Sequence, residues 1–432
     1  MATLETTPPI RSAADPGNAP AHRDPNVLRW LTAYTASLVG DSVYFLALGW
    51  SAQRAAGPTE VGLVMAAGAL PRAVLMLGGG VVADRFDPRR VILGSDALRC
   101  LLILSVAAAI ALTTPALWLL VAVALVFGAV DALFVPAVGA LPPRITGPDQ
   151  LARVTGLRSL AMRLGQIAGP PIGGLAMGLG GPAAAFTVAG TLFALSLPLL
   201  LSVRIRPLDP PPADTTPTTP AGRTPADRTS ARADLADGLR YIRRHRLLGP
   251  LVLVGAVCEL GLIGTLNVGM VLLNAERGWG PSGYGLIIAC FGAGATVGAT
   301  LLAVVGRLPR AGLTMAVTLL LGSIGAAAMG LVPTLWSAAV LAALVGLNAG
   351  IFGTLDGALV QTTADPAYLG RVTSVVMLTM VGLAPLSYPL VGAAIGAWGA
   401  APVFLACGTL SSLGALRALT SRPVRTAELP RR

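Results

Sequence analysis

Twelve apolar stretches, each long enough to cross a bilayer as a helix, constrain the fold of this chain more than any other feature. About 20 apolar residues span a hydrocarbon core of about 30 Å. Only helices and closed barrels satisfy the backbone in lipid, and the sequence lacks the short alternating strands of a barrel. We therefore predict an all-α membrane protein with transmembrane helices near 28–52, 61–83, 90–112, 115–138, 152–178, 183–203, 247–273, 283–305, 312–332, 334–360, 370–392 and 397–419.

Composition supports a membrane protein over a large soluble core. The chain is 54% hydrophobic and only 12% charged, whereas a soluble domain carries about 25% charged residues. The sequence contains no lysine, so it cannot hold a lysine-dependent phosphate loop. No paired Cys or His spacing indicates a metal site, and no catalytic cluster indicates an enzyme. We expect neither a cofactor nor a bound metal.

The arginines predict the orientation in the membrane. They cluster before the first stretch, between the second and third, between the sixth and seventh, and after the last, while the alternate connections hold little beyond Arg54 and Arg277. Positive residues stay on the cytoplasmic side, so both termini are predicted there. The Lys-free, Ala/Arg/Pro-rich composition suggests a bacterial source by association, and the expected location is the inner membrane. A net charge of +11 also fits nucleic-acid binding. The loop distribution favours the membrane surface, and we expect no nucleic-acid partner.

The composition along the chain predicts five segments. Residues 1–26 lack the apolar region of a signal peptide and are predicted to be a disordered cytoplasmic tail. Residues 204–246 hold a Pro/Thr-rich linker, followed by a basic amphipathic helix from Asp234 to Leu248 at the cytoplasmic surface. Six spans lie on each side of this linker, in 27–203 and 247–419, and residues 420–432 form a second cytoplasmic tail.

The two sets of six spans look like copies of one unit. A single constant shift along the chain superimposes Leu151–Thr155 on Leu369–Thr373, Phe134 on Phe352, Gly80 on Gly298 and Asp41 on Glu259. One shift that serves four spans indicates a duplicated six-helix unit. We call this constant shift, which carries residue 151 to residue 369, the repeat shift. Two such halves commonly enclose a binding site near the bilayer midplane and rock around it.

The connection between the second and third spans carries a recognisable pattern. The run Gly80, Asp84, Arg85, Arg89 and Arg90 resembles the loop signature of the major facilitator superfamily, G-x3-D-[RK]-x3-[RK]-[RK]. An acid followed by arginines can form a charge clasp that holds one conformation and releases in the other. The alternative interpretation is an ordinary basic loop.

The fifth span resembles the glycine-rich fifth helix of exporters in the same superfamily. Small residues allow close helix contact, and proline loosens the backbone. The second half departs from the pattern, with Ser387-Tyr388-Pro389-Leu390-Val391-Gly392 at the corresponding place. The alternative is a generic packing face. The residues that match the pattern are Gly156, Gly165, Gly169, Pro170, Gly173 and Gly174.

Three further runs look like the enterobactin-exporter and macrolide-efflux branch of this superfamily. They are Ser37–Asp41, Phe134–Ala137 and Asp237–His245. The resemblance implies a twelve-helix major facilitator fold and efflux of drugs, siderophores or similar metabolites. Some related exporters carry an arginine within span four, which this chain lacks, so a proton relay built on that arginine cannot be transferred.

Charged residues inside the spans are functional candidates because burying them is costly. Asp41, Arg72, Arg163 and Glu259 are predicted at similar depths, where they would line one cavity for substrate or protons; the alternative is two structural ion pairs. Asp131 is predicted either to pair with Arg158 or to handle protons in the cavity. Asp96 and Arg99 are predicted to pair on span three, and Asp356 to lie nearer a membrane face in a structural role. Candidate substrate contacts are Asn267, Tyr44, Tyr284 and Trp50.

The function that the sequence favours is proton-driven export of a small organic molecule by a monomer in a lipid bilayer. A buried carboxylate accepts a proton because desolvation disfavours its charged form. An uptake symporter or uniporter would share the fold, and a non-transporting scaffold or sensor is the alternative of another class. Substrate identity stays open, because acidic and basic groups both project inward.

Overall fold

The computed structural model describes residues 20–85, 87–113, 116–147, 149–205, 231–306 and 308–429, without the side chains of 76–85 and 231–234. Helices dominate this part of the chain, and turns and short extended segments connect them. The first half contains α1 (Pro25–Ala55), α2 (Pro58–Arg85), α3 (Pro88–Leu112), α4 (Leu117–Ala140), α5 (Pro142–Ile145) and α6 (Leu151–Leu201).

The second half begins with α7 (Ala231–Arg244), which precedes the seventh predicted span. That span consists of α8 (Leu248–Gly264), a π-helical turn (Thr265–Gly269) and α9 (Met270–Glu276). The remaining helices are α10 (Gly280–Val305), α11 (Ala311–Met329), α12 (Leu335–Thr363), α13 (Leu369–Gly382), α14 (Ala384–Trp398), α15 (Ala400–Thr420) and α16 (Arg422–Arg425).

The predicted spans coincide with these helices within a few residues. In the described part of the chain, ten helical stretches are long and apolar enough to cross a membrane. The 51-residue α6 supplies both the fifth and sixth spans, because Gly181 breaks the helix at φ 67°, ψ −163° before Pro182. The 28-residue α2 accounts for the second span. The predicted all-α membrane fold is confirmed.

Local sequence signals set several helix starts. Asp24 precedes Pro25 and accepts a hydrogen bond from the Asn26 backbone N–H at 2.8 Å. Asp87 stands in the same relation to Pro88 and Arg89, with a donor–acceptor distance of 3.3 Å. An acidic N-cap with proline at the first helical position satisfies free backbone donors and presets the helical φ.

The packing within each half repeats at equivalent glycines. Gly128 of α4 lies against the backbone of Gly68 on α2, and Gly346 of α12 lies against the backbone of Phe291 on α10. The repeat shift found in the sequence places Gly128 on Gly346. Both halves therefore make a close backbone contact at this glycine, although the shift places Gly68 on Leu286 and not on Phe291.

The two halves meet tightly at the end of the bundle opposite the termini. A Cβ atom placed on Gly174 of α6 would lie 2.8 Å from the Pro281 carbonyl oxygen of α10. A Cβ atom on Gly392 of α14 would lie 2.6 Å from the Pro58 carbonyl oxygen of α2. Only glycine permits these approaches, so we call the two contacts together the glycine seam.

The end of the bundle that carries the termini is open between the halves. Around Gly156 on α6, Gly353 and Gly357 on α12, and Gly370 on α13, no described atom outside the local helix lies within 4 Å of a built Cβ. The seam at one end and the free glycines at the other define a bundle that opens towards the side of its termini.

The linker helix α7 packs against this open end of the second half. Arg371 on α13 donates to Asp237 at 2.7 Å, and the rings of Tyr241 and Tyr368 stack at 4.4 Å. The Asp365 backbone N–H donates to the Tyr241 hydroxyl at 3.2 Å. The helix is therefore joined physically to the second half. It ends before the predicted Leu248, because the His245 ring accepts from the backbone of Leu247 and Leu248 and starts α8.

Candidate transport site

A cavity lies at the centre of the bundle and has three lobes that meet at Asn267. The acidic lobe, defined by Glu259 and Asp356, has a volume of about 360 Å³. The interface lobe, defined by Arg72 and Asp131, has a volume of about 280 Å³. The aromatic lobe, defined by Tyr284, Phe291 and Phe404, has a volume of about 230 Å³, and Asn267 lines all three lobes.

Asn267 lies on the π-helical turn that interrupts the seventh span. Its side-chain amide nitrogen donates to the Ile263 carbonyl oxygen at 2.8 Å, which leaves the amide oxygen as a hydrogen-bond acceptor. Single π-helical turns inside α-helices occur frequently at functional sites. The π-helical turn therefore places the Asn267 side chain where the three lobes meet.

The interface lobe contains an ion pair between two helices of the first half. Arg72 Nε on α2 lies 3.0 Å from Asp131 Oδ2 on α4, and Asp131 is almost fully buried while Arg72 is 37% exposed. Tyr44 forms the wall beside this pair and stacks on Phe127 at 3.8 Å. The Tyr44 hydroxyl is buried and has no hydrogen-bond partner among the described residues.

A second charge cluster lies behind this wall, between α1 and α3. Arg99 is completely buried, and its Nη1 lies 2.9 Å from Asp41 Oδ1 and 3.8 Å from Asp96 Oδ1. The other Asp96 oxygen accepts hydrogen bonds from Ser37 and Ser196, each at 2.6 Å. The guanidinium also lies over the Phe134 ring, with 3.9 Å from Cζ to the centroid. These contacts offset part of the cost of burying the charge, while Arg99 Nε and Nη2 have no hydrogen-bond partner among the described residues.

The two clusters together hold more carboxylates than guanidiniums. Asp41 interacts electrostatically with Arg99 and Asp96, and also with Asp131 and Arg72 of the interface lobe. Three carboxylates therefore share two guanidiniums in one connected set of charges. When all five groups are ionised, the set has an excess of one negative charge, and every side chain except Arg72 is 16% exposed or less.

The candidate residues occupy different places from those the sequence analysis expected. Arg72, Asp131 and Glu259 line the cavity. Asp41 lies behind the wall in its pair with Arg99, and Arg163 is half-buried on α6 outside the described walls of the three lobes. The four charges predicted to line one cavity are therefore split. Tyr44, Tyr284 and Asn267 line lobes, whereas Trp50 is buried in the hydrophobic core.

Two pairing predictions need correction or refinement. The pair expected between Asp131 and Arg158 is wrong, because Asp131 contacts Arg72 instead. The Gly68–Gly128 contact brings α2 against α4, with Arg72 one turn after Gly68 and Asp131 nearly one turn after Gly128. Arg158 instead lies near Tyr34 and interacts with it electrostatically. The predicted Asp96–Arg99 pair is present at 3.8 Å, but the shorter contact of Arg99 is to Asp41.

Asp356 was expected near a membrane face, but it lines the acidic lobe with Glu259. Its position on α12 in the sequence, close to the end of the tenth span, suggested a shallow location. The cavity reaches that depth because the bundle is open at this end. The sequence does not show how deep the cavity is, so it gave no sign that Asp356 lines it.

Gly80 and the side chains of Asp84 and Arg85 lie outside the part whose surroundings the structure describes. Of the loop motif, the structure therefore describes only Arg89 and Arg90. The Arg89 guanidinium donates to the carbonyl oxygens of Leu200 and Leu201 at the end of α6. Arg90 is exposed. Cations are favoured at the C-terminal end of a helix, where carbonyl groups lack partners.

A contact missed in the sequence accompanies this loop. Arg144 Nη1 lies 3.3 Å from Asp87 Oδ1, which connects the loop after α2 to the segment after α4. Both groups are partly exposed, and such pairs contribute less than about 1 kcal/mol. The contact therefore positions the loop without adding much stability.

The glycines of the fifth span face two different neighbours. A Cβ on Gly165 would lie 2.8 Å from Leu38 Cβ, one on Gly173 would lie 3.2 Å from Val43 Cα, and Gly169 contacts Ser42, all on α1. Pro170 and Gly174 instead contact α10 of the second half. Gly156 has an open environment. The motif therefore joins α6 to its own half and to the opposite half.

The helical architecture and central cavity define a membrane transporter, and comparison with known proteins identifies its family. The family model of the Major Facilitator Superfamily matches residues 30–384. The chain belongs to the Major Facilitator Superfamily. It is therefore a multi-pass membrane transporter of a small molecule, and not an enzyme.

Curated relatives fall in the branch that the sequence motifs indicated. The chain is 27% identical over 300 residues to the enterobactin exporter EntS of Shigella boydii serotype 18, covering 69% of this chain and 67% of that protein. It is 26% identical over 313 residues to the enterobactin exporter EntS of Citrobacter koseri, covering 72% of this chain and 71% of that protein. The predicted family and branch are confirmed.

Solved structures share the fold at low sequence identity. A bacterial homologue of the human lysosomal transporter Spinster, inward-facing and unoccupied, matches with a TM-score of 0.69 and 15% identity, covering 94% of this chain and 98% of that one. The nucleoside transporter NupG matches with a TM-score of 0.70 and 15% identity, covering 92% of this chain and 98% of that one. These likenesses support the fold alone.

Proposed function

We propose that this transporter is a proton-coupled exporter of a small organic molecule, a drug, siderophore or other metabolite, in the inner membrane of a bacterium. The observation that carries the proposal is the set of buried charges beside the cavity, in which three carboxylates share two guanidiniums. Such a set can hold one additional proton and become neutral.

The orientation follows from the arginines at the open end of the bundle. Arg89 and Arg90 in the first turn of α3 and Arg144 in the short α5 lie at this end, and the arginines of α7 lie there as well. Because positive loops stay in the cytoplasm, the open end and both termini are assigned to the cytoplasmic side. The structure then corresponds to an inward-facing state, with the glycine seam closing the outer side.

Asp41 is the proposed proton carrier. Its carboxylate is 16% exposed, whereas Asp96 is completely buried and hydrogen-bonded by two serines. Protonation of Asp41 leaves Arg99 balanced by Asp96 and leaves Arg72 balanced by Asp131. Loss of the proton restores the excess negative charge beside the cavity. Occupancy of Asp41 by a proton thereby changes the field that a substrate in the interface lobe experiences.

Two observations support export over uptake. The fifth span carries the exporter-like glycine pattern, and its glycines contact both α1 and the opposite half. The curated relatives described above are named as exporters of enterobactin. Uptake by a symporter or uniporter of the same fold remains the second candidate function, and transport direction separates the two.

The proposed partners are the substrate, protons and the lipid bilayer, and the proposed working unit is a monomer without nucleic acid. The proposed organisation is the one predicted from the sequence, with halves at 27–203 and 247–419, a cytoplasmic linker at 204–246 and cytoplasmic tails at 1–26 and 420–432. The proposed gating loop is Gly80, Asp84, Arg85, Arg89 and Arg90.

Transport direction is tested in inside-out vesicles with an acidified lumen and a pH-sensitive dye. Addition of an exported compound from a panel that includes iron-free enterobactin and lipophilic dyes should release luminal protons while the compound accumulates. The matched control is Asp41→Asn, which should transport the compound without moving protons. Accumulation only in right-side-out vesicles, driven by an inward proton gradient, would refute the exporter assignment.

A further inference from the structure

The acidic lobe contains two carboxylates and no basic side chain among its described walls. Glu259 on α8 and Asp356 on α12 line the same lobe and interact electrostatically with each other. In the first half, by contrast, every carboxylate of the charge clusters has an arginine within 4 Å. The second half therefore presents negative charge to its cavity without a protein counter-charge.

The repeat explains this difference between the halves. Under the repeat shift, Glu259 corresponds to Asp41, so the acid is kept. The positions that correspond to Arg72 and Arg99 are Cys290 and Val317, so both bases are replaced by uncharged residues. A buried carboxylate without a protein cation is expensive unless a ligand or a proton supplies the missing positive charge.

The other polar groups of the acidic lobe also present acceptors. Each donates a hydrogen bond to a carbonyl oxygen one turn back, at 2.8 to 3.0 Å, and the two asparagine amides keep a second N–H. The remaining oxygen lone pairs can accept a hydrogen bond from a ligand. The residues with this arrangement are Asn267, Thr318, Ser323 and Asn348.

The adjoining interface lobe also has a buried polar group in its wall. Tyr44 is 1% exposed and lines that lobe, and its hydroxyl lacks a partner in the described part of the chain. Buried hydroxyl groups normally have a hydrogen-bond partner. The two lobes share Ile263, Asn267 and Met380, so they adjoin each other.

Apart from its carboxylates and the other polar side chains named above, the wall of the acidic lobe is apolar. Phe291 and Phe352 line it, together with Leu262 and Met380. An acidic end and apolar aromatic walls match a cation that is attached to a hydrophobic body. Aromatic faces also attract organic cations through their negative electrostatic potential.

We propose that the acidic lobe binds the positively charged group of an amphipathic organic cation, with Glu259 and Asp356 as its counter-charges. The apolar body of the cation lies along Phe291 and Phe352. This inference rests on the proposed function in one respect, since it names the class of substrate that binds in the same cavity. It requires neither export nor proton coupling.

The test uses two ions of matched shape and opposite charge, tetraphenylphosphonium and tetraphenylborate. Equilibrium binding of each radiolabelled ion is measured on the purified full-length protein in lipid nanodiscs, with no ion gradient. The native protein should bind the phosphonium at least about tenfold more tightly than the borate, because the charges of the lobe attract one and repel the other. Equal affinity for the two ions, or no phosphonium binding, overturns the proposal.

Variants then locate the binding. Glu259→Gln and Asp356→Asn should each weaken phosphonium binding about tenfold and leave borate binding unchanged or stronger. Glu259→Asp keeps the charge and should retain the affinity within about threefold. Asp149→Asn removes an exposed carboxylate outside the cavity and serves as the matched control. Native phosphonium affinity in both neutral variants would also overturn the proposal.

The binding experiment separates this inference from the proposed function. Loss of proton-coupled export in vesicles, with selective phosphonium binding intact, would refute only the exporter assignment. Proton-coupled export of another compound, without selective phosphonium binding, would refute only the cationic subsite. The melting temperature of each variant shows whether a loss of binding reflects unfolding.

Discussion

Gly174 and Gly392 occupy equivalent positions in the two halves under the repeat shift, and each contacts the backbone of the opposite half. Gly174 lies against Pro281 and Gly285 on α10, and Gly392 lies against Pro58 and Gly62 on α2. The second half had appeared to depart from the fifth-helix pattern, but it keeps this one glycine. The contacts on both sides of the seam therefore follow the duplicated unit.

Substitution of either seam glycine by valine should impair transport. The added Cβ would lie within 3 Å of a carbonyl oxygen of the other half, at 2.8 Å for Gly174 and 2.6 Å for Gly392. Overpacking of this kind costs about 1 to 3 kcal/mol. The closed seam would be destabilised by that amount, and the outer side would open. We expect Gly174→Val to lower the transport rate and to increase labelling of cysteines placed on the outer side.

Gly94→Val is the control for this prediction, because Gly94 on α3 is exposed and has no atom outside the local helix within 4 Å. It should insert and transport at close to the native rate. Native transport and native outer-side labelling in both Gly174→Val and Gly392→Val would show that the seam tolerates a side chain and does not control access.

Local signals in the sequence predicted the spans and the glycine contacts. Apolar length located each helix within a few residues, and the separation of α6 into two spans follows from Gly181 and Pro182. The pattern at Gly165 and Gly169 predicted a close helix contact, which the structure shows to be with α1. The positions of the spans depend on neighbours within the same helix, and the close contacts depend on glycine having no side chain. Both can therefore be read from the local sequence.

The partners of the buried charges were less accessible from the sequence. Pairing across helices depends on the rotation and depth of each helix, and a shift of one turn changes the partner. Asp131 was therefore assigned to Arg158 on the next span, whereas the contact between Gly68 and Gly128 places Arg72 beside it. Asp356 was expected near a membrane face in a structural role, because its place in the span gives no sign of a cavity. The structure shows that it lines the acidic lobe.

Asp41→Asn should uncouple transport from the proton gradient without unfolding the protein. The substitution removes one of three carboxylates, so the two remaining acids balance Arg72 and Arg99. We expect near-native folded yield and substrate exchange in proteoliposomes at zero gradient, but no accumulation against a gradient. Arg99→Ala should instead lower the folded yield, because it leaves Asp41 and Asp96 without a cation at a cost of several kcal/mol.

Concentrative export in Asp41→Asn would remove Asp41 as the proton carrier. The Glu259→Gln variant then becomes the informative comparison, since Glu259 is the equivalent acid of the second half. If concentrative export also survives in Glu259→Gln, neither member of the equivalent pair carries the coupling proton, and Asp131 is the next candidate.

The gating loop predicts a kinetic effect at Asp84. If its carboxylate clasps neighbouring arginines in one conformation, Asp84→Asn should slow transport at equal membrane levels while binding of substrate stays unchanged. Asp149→Asn, in the loop after α5, is the control for removal of an exposed acid at the same end of the bundle. Native turnover in Asp84→Asn, measured at matched protein amounts, would count against a clasp.

The pair of Arg72 and Asp131 offers the sharpest comparison, because two pairings make opposite predictions for the same residue. Arg72 Nε lies 3.0 Å from Asp131 Oδ2, whereas Arg158 lies near Tyr34 and interacts with it electrostatically. Removing one member of a buried ion pair costs about 3 to 5 kcal/mol, because the other charge is left without a partner. Asp131 is nearly buried but Arg72 is 37% exposed, so the cost should be lower for the loss of Asp131 than for the loss of Arg72.

We therefore expect Arg72→Ala to reduce the folded yield and melting temperature more than Asp131→Ala does. The exchanged pair, Arg72→Asp with Asp131→Arg, should recover part of the loss because opposite charges again face each other. The matched exchange of Asp131→Arg with Arg158→Asp should recover nothing, since these helices do not place the two side chains together. Fluorescence-detected size-exclusion chromatography of the detergent-solubilised variants measures all four. Recovery in the Arg158 exchange, and not in the Arg72 exchange, would contradict the α2–α4 pairing.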